Sequence, residues 1–246
     1  MRTNHNGFPT SQIKGRNVVG EEILKEIADH TISYSGIVSD MSIYEPHLEC
    51  QVLSPTIKHF YENTPEYRLY ASVKWHWWFK PLAMIYRFFS QRILQINLPL
   101  SRKLVEMTGD IFPIKEHIDG RPQPRAWVRK VNGEVCFVAL YSWHKKGDRT
   151  YMNIGLPLPF STMTGVLELN QVGKSLQLSS RKKRTSKADT GTYLSTKNKQ
   201  FPLPIDEEFF VKQAGVGSLK AQHEMRIFFI PFLTIDYTIR HKDVMK

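Results

Sequence analysis

The sequence predicts an α+β protein: an antiparallel β-sheet curled towards a barrel in the C-terminal half, with two or three helices from the N-terminal half packed on it. Three observations predict this. From residue 124 onward, apolar and polar residues alternate with period two. The patterned segments are joined by links such as Asn132-Gly133, Lys146-Gly147-Asp148, Gly173 and Gly191. In the first hundred residues, apolar side chains recur instead at helical spacing.

Residues 1–46 read as a polar tail followed by a short helix over 19–29, where Val19, Ile23, Leu24 and Ile27 recur at helical spacing. The remaining 47–246 read as one helix-plus-sheet domain. A helix over 54–63 is expected from Ser54 as N-cap and Pro55 at the first helical position. Residues 67–75 alternate like a strand. A third helix starts at Lys80-Pro81 and runs to about Asn97, with Phe79 and Met84 placed as a hydrophobic staple. Its apolar stripe is Leu82, Ile85, Tyr86, Phe89, Ile93 and Ile96. The opposite face carries Arg87, Gln91 and Gln95, with Met84, Phe88 and Leu94 among them.

Strands are expected at 125–131, 134–145, 149–155, 163–170, 174–181, 190–197 and 219–240. In the last, the odd positions from Leu219 to Ile239 are mostly apolar and the even ones mostly polar, with Pro231 marking a bend or bulge. Residues Asp110, Glu116, His117 and Asp119 read as a surface loop, and Asp206-Glu207-Glu208 as a solvated turn.

The net charge of +11 is concentrated. Residues 67–105 hold seven basic side chains and no acid, together with nine aromatic ones, including Trp75, Trp77 and Trp78. Residues 181–199 add a second basic patch. These two stretches outweigh the net charge of the whole chain, so the remainder is slightly acidic. Trp75 to Phe79 read as a hydrophobic corner that launches the helix at Pro81; basic, aromatic-dense segments also suit an anionic membrane surface or, less well here, a nucleic acid, because the glycine-aromatic signature of an RNA-binding sheet is missing.

Cys50 and Cys136 have no metal-ligand spacing and suggest reduced thiols. The polar N-terminus leads into no apolar signal region, and no uncharged run approaches the ~18 residues of a spanning helix. The expected location is cytoplasmic, with peripheral attachment to the inner face of the membrane as the variant of it. No nucleophile elbow, phosphate-cradling loop or metal signature is present, so no cofactor and no metal are expected.

His223 lies on the apolar face of its strand. It reads either as a buried neutral imidazole with one satisfied hydrogen bond or as a polar handle for a ligand in a cavity, and in the second reading it is grouped with Met225, Tyr141 and Trp143 as the ligand-binding candidates. Glu224 cannot partner it, because adjacent strand residues face opposite ways. The surface-binding candidates are Met84, Arg87, Phe88 and Arg92 on the third helix, and Arg181, Lys182, Lys183 and Arg184 in the basic loop. The function expected is non-catalytic binding of an apolar or amphiphilic ligand at an anionic membrane surface. The alternatives are an enzyme acting on a small apolar substrate in the cavity, with His223 as acid or base, and a nucleic-acid binder using 68–103 and 181–199. The oligomeric state is not set by the sequence.

Several phrases carry a family resemblance: Phe60-Tyr61-Glu62-Asn63-Thr64, Gln95-Ile96-Asn97-Leu98-Pro99, Arg125-Ala126-Trp127-Val128-Arg129, Asn153-Ile154-Gly155-Leu156-Pro157-Leu158-Pro159, and His223-Glu224-Met225-Arg226 leading into Ile230-Pro231-Phe232-Leu233. Together they resemble the soluble C-terminal portion of bacterial YndJ-type proteins, over roughly residues 47–240. The resemblance implies a bacterial protein and a module that can accompany membrane-spanning segments. It assigns no catalytic or binding residue.

Overall fold

Alternating strands with tight links produce a sheet, and here the sheet meets itself. The computed structural model describes residues 10–16, 19–182 and 189–245. In chain order they form α1 (Leu24–Ile27), α2 (Pro55–Glu62), β1 (Tyr67–Trp75), α3 (Lys80–Ile93), β2 (Val105–Pro113), α4 (Glu116–Asp119), β3 (Arg125–Val131), β4 (Glu134–Lys146), β5 (Arg149–Leu158), β6 (Ser161–Val172), β7 (Ser175–Ser179), β8 (Gly191–Ser195), β9 (Gln200–Leu203), β10 (Ile205–Gly215), β11 (Ser218–Ile227) and β12 (Ile230–His241). The order β5-β4-β3-β2-β1-β12-β11-β10-β7-β6 is closed by β5–β6 pairing, giving an antiparallel barrel of ten strands. Strands β8 and β9 extend from the first half of β6 as a flap. Closure goes further than the curl expected from the sequence, and it removes the ring's free edges.

Pleating sends alternate residues into the lumen. Leu69, Ala71 and Val73 of β1, Trp127 of β3, Ala139 and Tyr141 of β4, and Leu233, Ile235, Tyr237 and Ile239 of β12 share one core. A second core lies outside the barrel. There Ile13, Leu24, Ile27 and Ala28 cover Ala126 and Val128 of β3 and Val138 and Leu140 of β4. With both faces covered, β3 is buried along almost its whole length. One end of the barrel is filled by Ile37, Met41, Tyr44, Leu48, Ile57, Phe60 and Tyr61. Arg125 fastens this plug: its guanidinium donates to Gly36 O and Ser39 Oγ, both at 2.8 Å, and stacks 3.7 Å from the Tyr34 ring centroid. Only glycine fits at 36, because a Cβ there would lie 2.3 Å from Tyr61 O.

The other end holds β1's exit, α3 and the β11–β12 turn. Expectation and structure differ most at this end. Residues 219–240 are a hairpin, not one strand: Phe228 and Phe229 form its two-residue turn, both with positive φ (47° and 69°). The alternation hid the turn. The tight turn pairs Ile227 with Ile230 and swaps parity; a bulge after Met225 restores it, so His223 pairs with Ile235 and Met225 with Leu233.

Helix α3 stops at Ile93, where Leu94 turns left-handed (φ 52°). Its expected apolar stripe is split: Leu82, Ile85 (62% exposed) and Phe89 (55%) face outward, Tyr86, Ile93 and Ile96 are half-buried, and within the helix only Ala83 and Ser90 are fully buried. Arg87, expected in solvent, is half-buried instead. Gln95, also expected in solvent, is fully buried. Its Nε2 donates to Val138 O (3.0 Å) and Pro157 O (2.7 Å), and its Oε1 accepts from Val138 N (2.9 Å). Three further expectations are corrected. Residues 105–113 form β2, and Asp206-Glu207-Glu208 belong to β10. Asp119 lies in no surface loop but is fully buried in an ion pair with Arg121 at 2.5 Å.

On the barrel's outer wall, His144 is buried beneath residues 189–190. Its Nδ1 lies 3.0 Å from Asn153 Oδ1 and its Nε2 3.4 Å from Asp189 Oδ2, while the other oxygen of Asp189, Oδ1, binds Lys146. Burial lowers its pKa below the ordinary value, against the raising effects of Asn153 and Asp189.

Two measurements check this account. Gln95→Ala leaves two carbonyls and an N–H unpaired in the core and is expected to lose about 2–4 kcal/mol in urea unfolding. Gln91→Ala, on an exposed position, is expected to stay within about 0.5 kcal/mol. Because the folded-state pKa of His144 is depressed, its contribution is complete above the unfolded value near 6.5 and is lost as pH falls below it, the unfolded chain taking up the proton first. Melting temperature is therefore expected to drop between about pH 7.5 and 5.5, and His144→Gln is expected to shrink that drop.

Candidate functional site

The lumen holds a buried guanidinium, Arg129, that contacts neutral rings and the hydroxyls of Tyr141 and Tyr237. Arg129 stands on β3 opposite Phe137 of β4, and the alternation that buries Trp127 turns Arg129 inward as well. Its guanidinium lies 3.6 Å from the Trp127 ring centroid, 5.4 Å from that of Phe137 and 5.5 Å from that of Tyr237. The residue is only 8% exposed, and its Nε has no hydrogen-bond partner. Among the described residues, Arg16, Arg121, Arg149 and Arg226 have carboxylate partners; Arg129 has none.

Beside it lies a cavity of about 50 Å³, lined by Trp127, Arg129, Tyr141 and Tyr237, by Leu69, Leu178 and Val211 of the wall, and by Ile37, Phe60 and Tyr61 of the plug. Burial pushes the Tyr237 hydroxyl up to about 12, with Arg129 opposing the shift. The Tyr141 hydroxyl is also pushed up by burial, again opposed by Arg129, while Glu207 adds to the rise.

Glu207 and His223 form a second polar pair on the inner wall. His223 stacks on its cross-strand neighbour Phe209, with ring centroids 3.7 Å apart, and its Nε2 lies 3.3 Å from Glu207 Oε2. The contact has ion-pair distance without hydrogen-bond alignment, so Nε2 remains without a hydrogen-bond partner. Gly165 on β6 leaves the room this carboxylate occupies: a Cβ there would lie 2.9 Å from Glu207 Oε1.

Of the four ligand-binding candidates, Tyr141 lines the cavity. His223 stacks on the cavity residue Phe209. Met225 is half-buried against the same core. Trp143 lies outside the cavity lining, half-buried, with Nε1 3.5 Å from Gln123 Oε1. Arg129, Glu207 and Tyr237 were not singled out from sequence. The signal was present: Arg129 has the same parity as Trp127, so an inward strand position carried a charge.

The surface candidates divide similarly. Met84 and Phe88 are exposed on α3, and the Arg92 guanidinium lies 4.1 Å from the Phe88 ring centroid. Arg87 turns towards the barrel, near enough to Cys136 to oppose the burial that pushes its thiol up to about 12. Trp77 is 86% exposed. The indole of Trp78 donates to Pro231 O (3.0 Å), and Phe79 packs against Phe232 with centroids 4.7 Å apart, which ties the start of α3 to the β11–β12 hairpin. That hairpin's turn exposes Phe228 and Phe229, the latter by 72%, and Ile230. Phe160, in the β5–β6 turn, is exposed as well. Arg181 and Lys182 are exposed after β7; Lys183 and Arg184 lie outside the described residues.

At the plugged end, His59, Glu66 and His241 bring ligand-type atoms within 4.8 Å of one another. Asp243 N donates to His241 Nδ1, which places that ring's proton on Nε2, facing Glu66 Oε2 at 3.1 Å. The trio is thereby satisfied as a hydrogen-bonded network. No helix among the described residues is long and apolar enough to cross a membrane.

No family model matches the chain, and no solved structure matches it. It is 42% identical over 234 residues to a Bacillus subtilis (strain 168) protein described as the uncharacterized membrane protein YndJ, a match covering 94% of this chain and 43% of the relative. The chain thus spans less than half the length of the relative it matches. Over nearly its whole extent, the chain resembles a portion of a YndJ-type protein.

Proposed function

We propose that the barrel is a non-catalytic binding module that rests on an anionic membrane surface by its α3 end and holds an apolar or amphiphilic molecule in its lumen. The observation that carries the membrane part is the apolar surface that α3 leaves exposed: Leu82, Met84, Ile85, Phe88 and Phe89. A helix normally buries its apolar stripe; this one buries Ala83 and Ser90 and presents Ile85 and Phe89 outward.

The β11–β12 turn supports the same reading. Type I′ turns favour Asn-Gly, and bulky residues with positive φ are strained. Two exposed phenylalanines at such a turn help neither folding nor solubility, whereas at headgroup depth their rings are well placed. The segment that contains α3 holds no acid, and its Lys74, Lys80, Arg92, Arg102 and Lys103 are exposed, each worth about 1 kcal/mol near an anionic surface. The matched relative is described as a membrane protein, which agrees with the proposed location.

A second reading, general acid–base chemistry in the lumen, is favoured by the approach of His223 to Glu207 at 3.3 Å. It would require a lumen ligand to be turned over, and His223→Gln to stop turnover while ligand binding continues.

Vesicle co-sedimentation tests the membrane reading. The protein is expected to pellet with vesicles containing phosphatidylglycerol, less so with phosphatidylcholine alone, and less at high salt because exposed charge is screened. The double substitution Phe228→Asn/Phe229→Gly is expected to lose most of this binding while gaining about 1–2 kcal/mol of stability from relieved turn strain. Equal partition onto both lipid types, or unchanged binding by the double variant, would overturn the proposal.

A further inference from the structure

We infer that the lumen contains a carboxylate-binding site built on Arg129, with the hydroxyls of Tyr141 and Tyr237 beside it. The inference rests on the lumen being a ligand site and names the chemical group that site takes.

A guanidinium removed from water loses several kcal/mol of hydration unless partners replace it. Apolar side chains of similar volume would fill the same space without that loss. Arg129 is 8% exposed, has no carboxylate partner among the described residues and leaves Nε without an acceptor. The rings of Trp127, Phe137 and Tyr237 offer it π-faces, and it donates to the hydroxyls of Tyr141 and Tyr237; these partners are neutral and leave the charge uncompensated. What is missing is an anion.

The surroundings limit that anion's identity. Among the described residues, Arg129 is the only cationic side chain in the cavity lining, so a monoanion balances that charge and a dianionic phosphate would leave one uncompensated. The planar guanidinium fork matches a carboxylate's two oxygens. The two phenols, held protonated by burial, supply further O–H donors. The cavity of about 50 Å³ admits a carboxylate-sized group, since one water needs roughly 10–15 Å³ by the same measure. The rest of the lining, including Leu69, Leu178 and Val211, is apolar. A small carboxylic acid fits as the side chains stand; a long-chain one would have to displace Ile37 and Phe60 of the plug.

Titration calorimetry on the full chain separates these sources, using acetate, dodecanoate and the uncharged dodecanol. Wild type is expected to bind a carboxylate, and Arg129→Gln to lose about ten-fold or more of that affinity, as expected for one charge-assisted pair. Preference for dodecanoate over acetate identifies an acyl chain as the source; equal or tighter acetate binding identifies a free small acid. Either result, if it depends on Arg129, supports the clamp. Dodecanol and dodecanoate binding equally well, with Arg129→Gln unaltered, overturns the clamp while leaving the lumen as an apolar site. Binding of none of the three overturns the clamp and the lumen reading together, whatever the vesicle experiment shows. Should Arg129→Gln fail to fold, Tyr141→Phe/Tyr237→Phe keeps both rings and removes both hydroxyls. Its carboxylate affinity is then expected to fall about five-fold or more, at one net hydrogen bond of about 1 kcal/mol; unchanged affinity overturns the clamp.

Discussion

Closure of the sheet is the constraint from which the rest of the structure follows. Once β5 pairs with β6 and β1 with β12, every strand residue is committed to the lumen or to the outside. A one-residue slip anywhere would exchange the two sets. The ring then has two ends to close. At one, α2 and the preceding segment insert Ile37, Phe60 and Tyr61, held by Arg125. At the other, the chain leaving α3 is fixed by the three hydrogen bonds of Gln95. Helix α3 itself is left outside this closure, attached at its start through Phe79 and Phe232 and lightly buried along its length.

Two features depart from the rule that apolar groups go inside and charges outside, and they are complementary. Arg129 is a charge kept in the lumen with no carboxylate at ion-pair distance among the described residues, where hydration is lost. The outward face of α3, together with Trp77, Phe228 and Phe229, is apolar surface kept in water, where burial is lost. Chains retain such departures where something other than folding stability is served. The outward apolar face fits a headgroup layer, and the inward cation fits a carboxylate. Each lies where the barrel can act without altering its walls: one at the α3 end, one in the lumen.

Much of the fold was legible because period-two patterning and hairpin links are local. Residues 125–131 were read as a strand with the same limits they have in the structure, and Ser54-Pro55 announced α2. The missed elements share a physical cause: tertiary context decided them. β2 carries Gly109 and Pro113 and little alternation, and it becomes a strand by filling the gap between β1 and β3. The β11–β12 turn contains no turn-forming residue, and its bulge preserves the numbering parity. α3 has an apolar stripe that sequence assigns to the core, but the barrel's end is already closed when the helix arrives. In the site, Tyr141 and His223 were visible as inward polar groups. Arg129 was equally visible by parity, and its significance depends on a negative fact, the missing carboxylate, which only three-dimensional neighbours reveal.

The central claim is that the α3 end is a membrane-facing surface, and amide hydrogen exchange with and without phosphatidylglycerol vesicles tests it most directly. The account predicts slowed exchange over residues 77–93 and 228–230, with the plugged end around residues 37–61 unchanged. Protection at the plugged end instead, or no protection at 77–93 with the protein bound to vesicles, would contradict it.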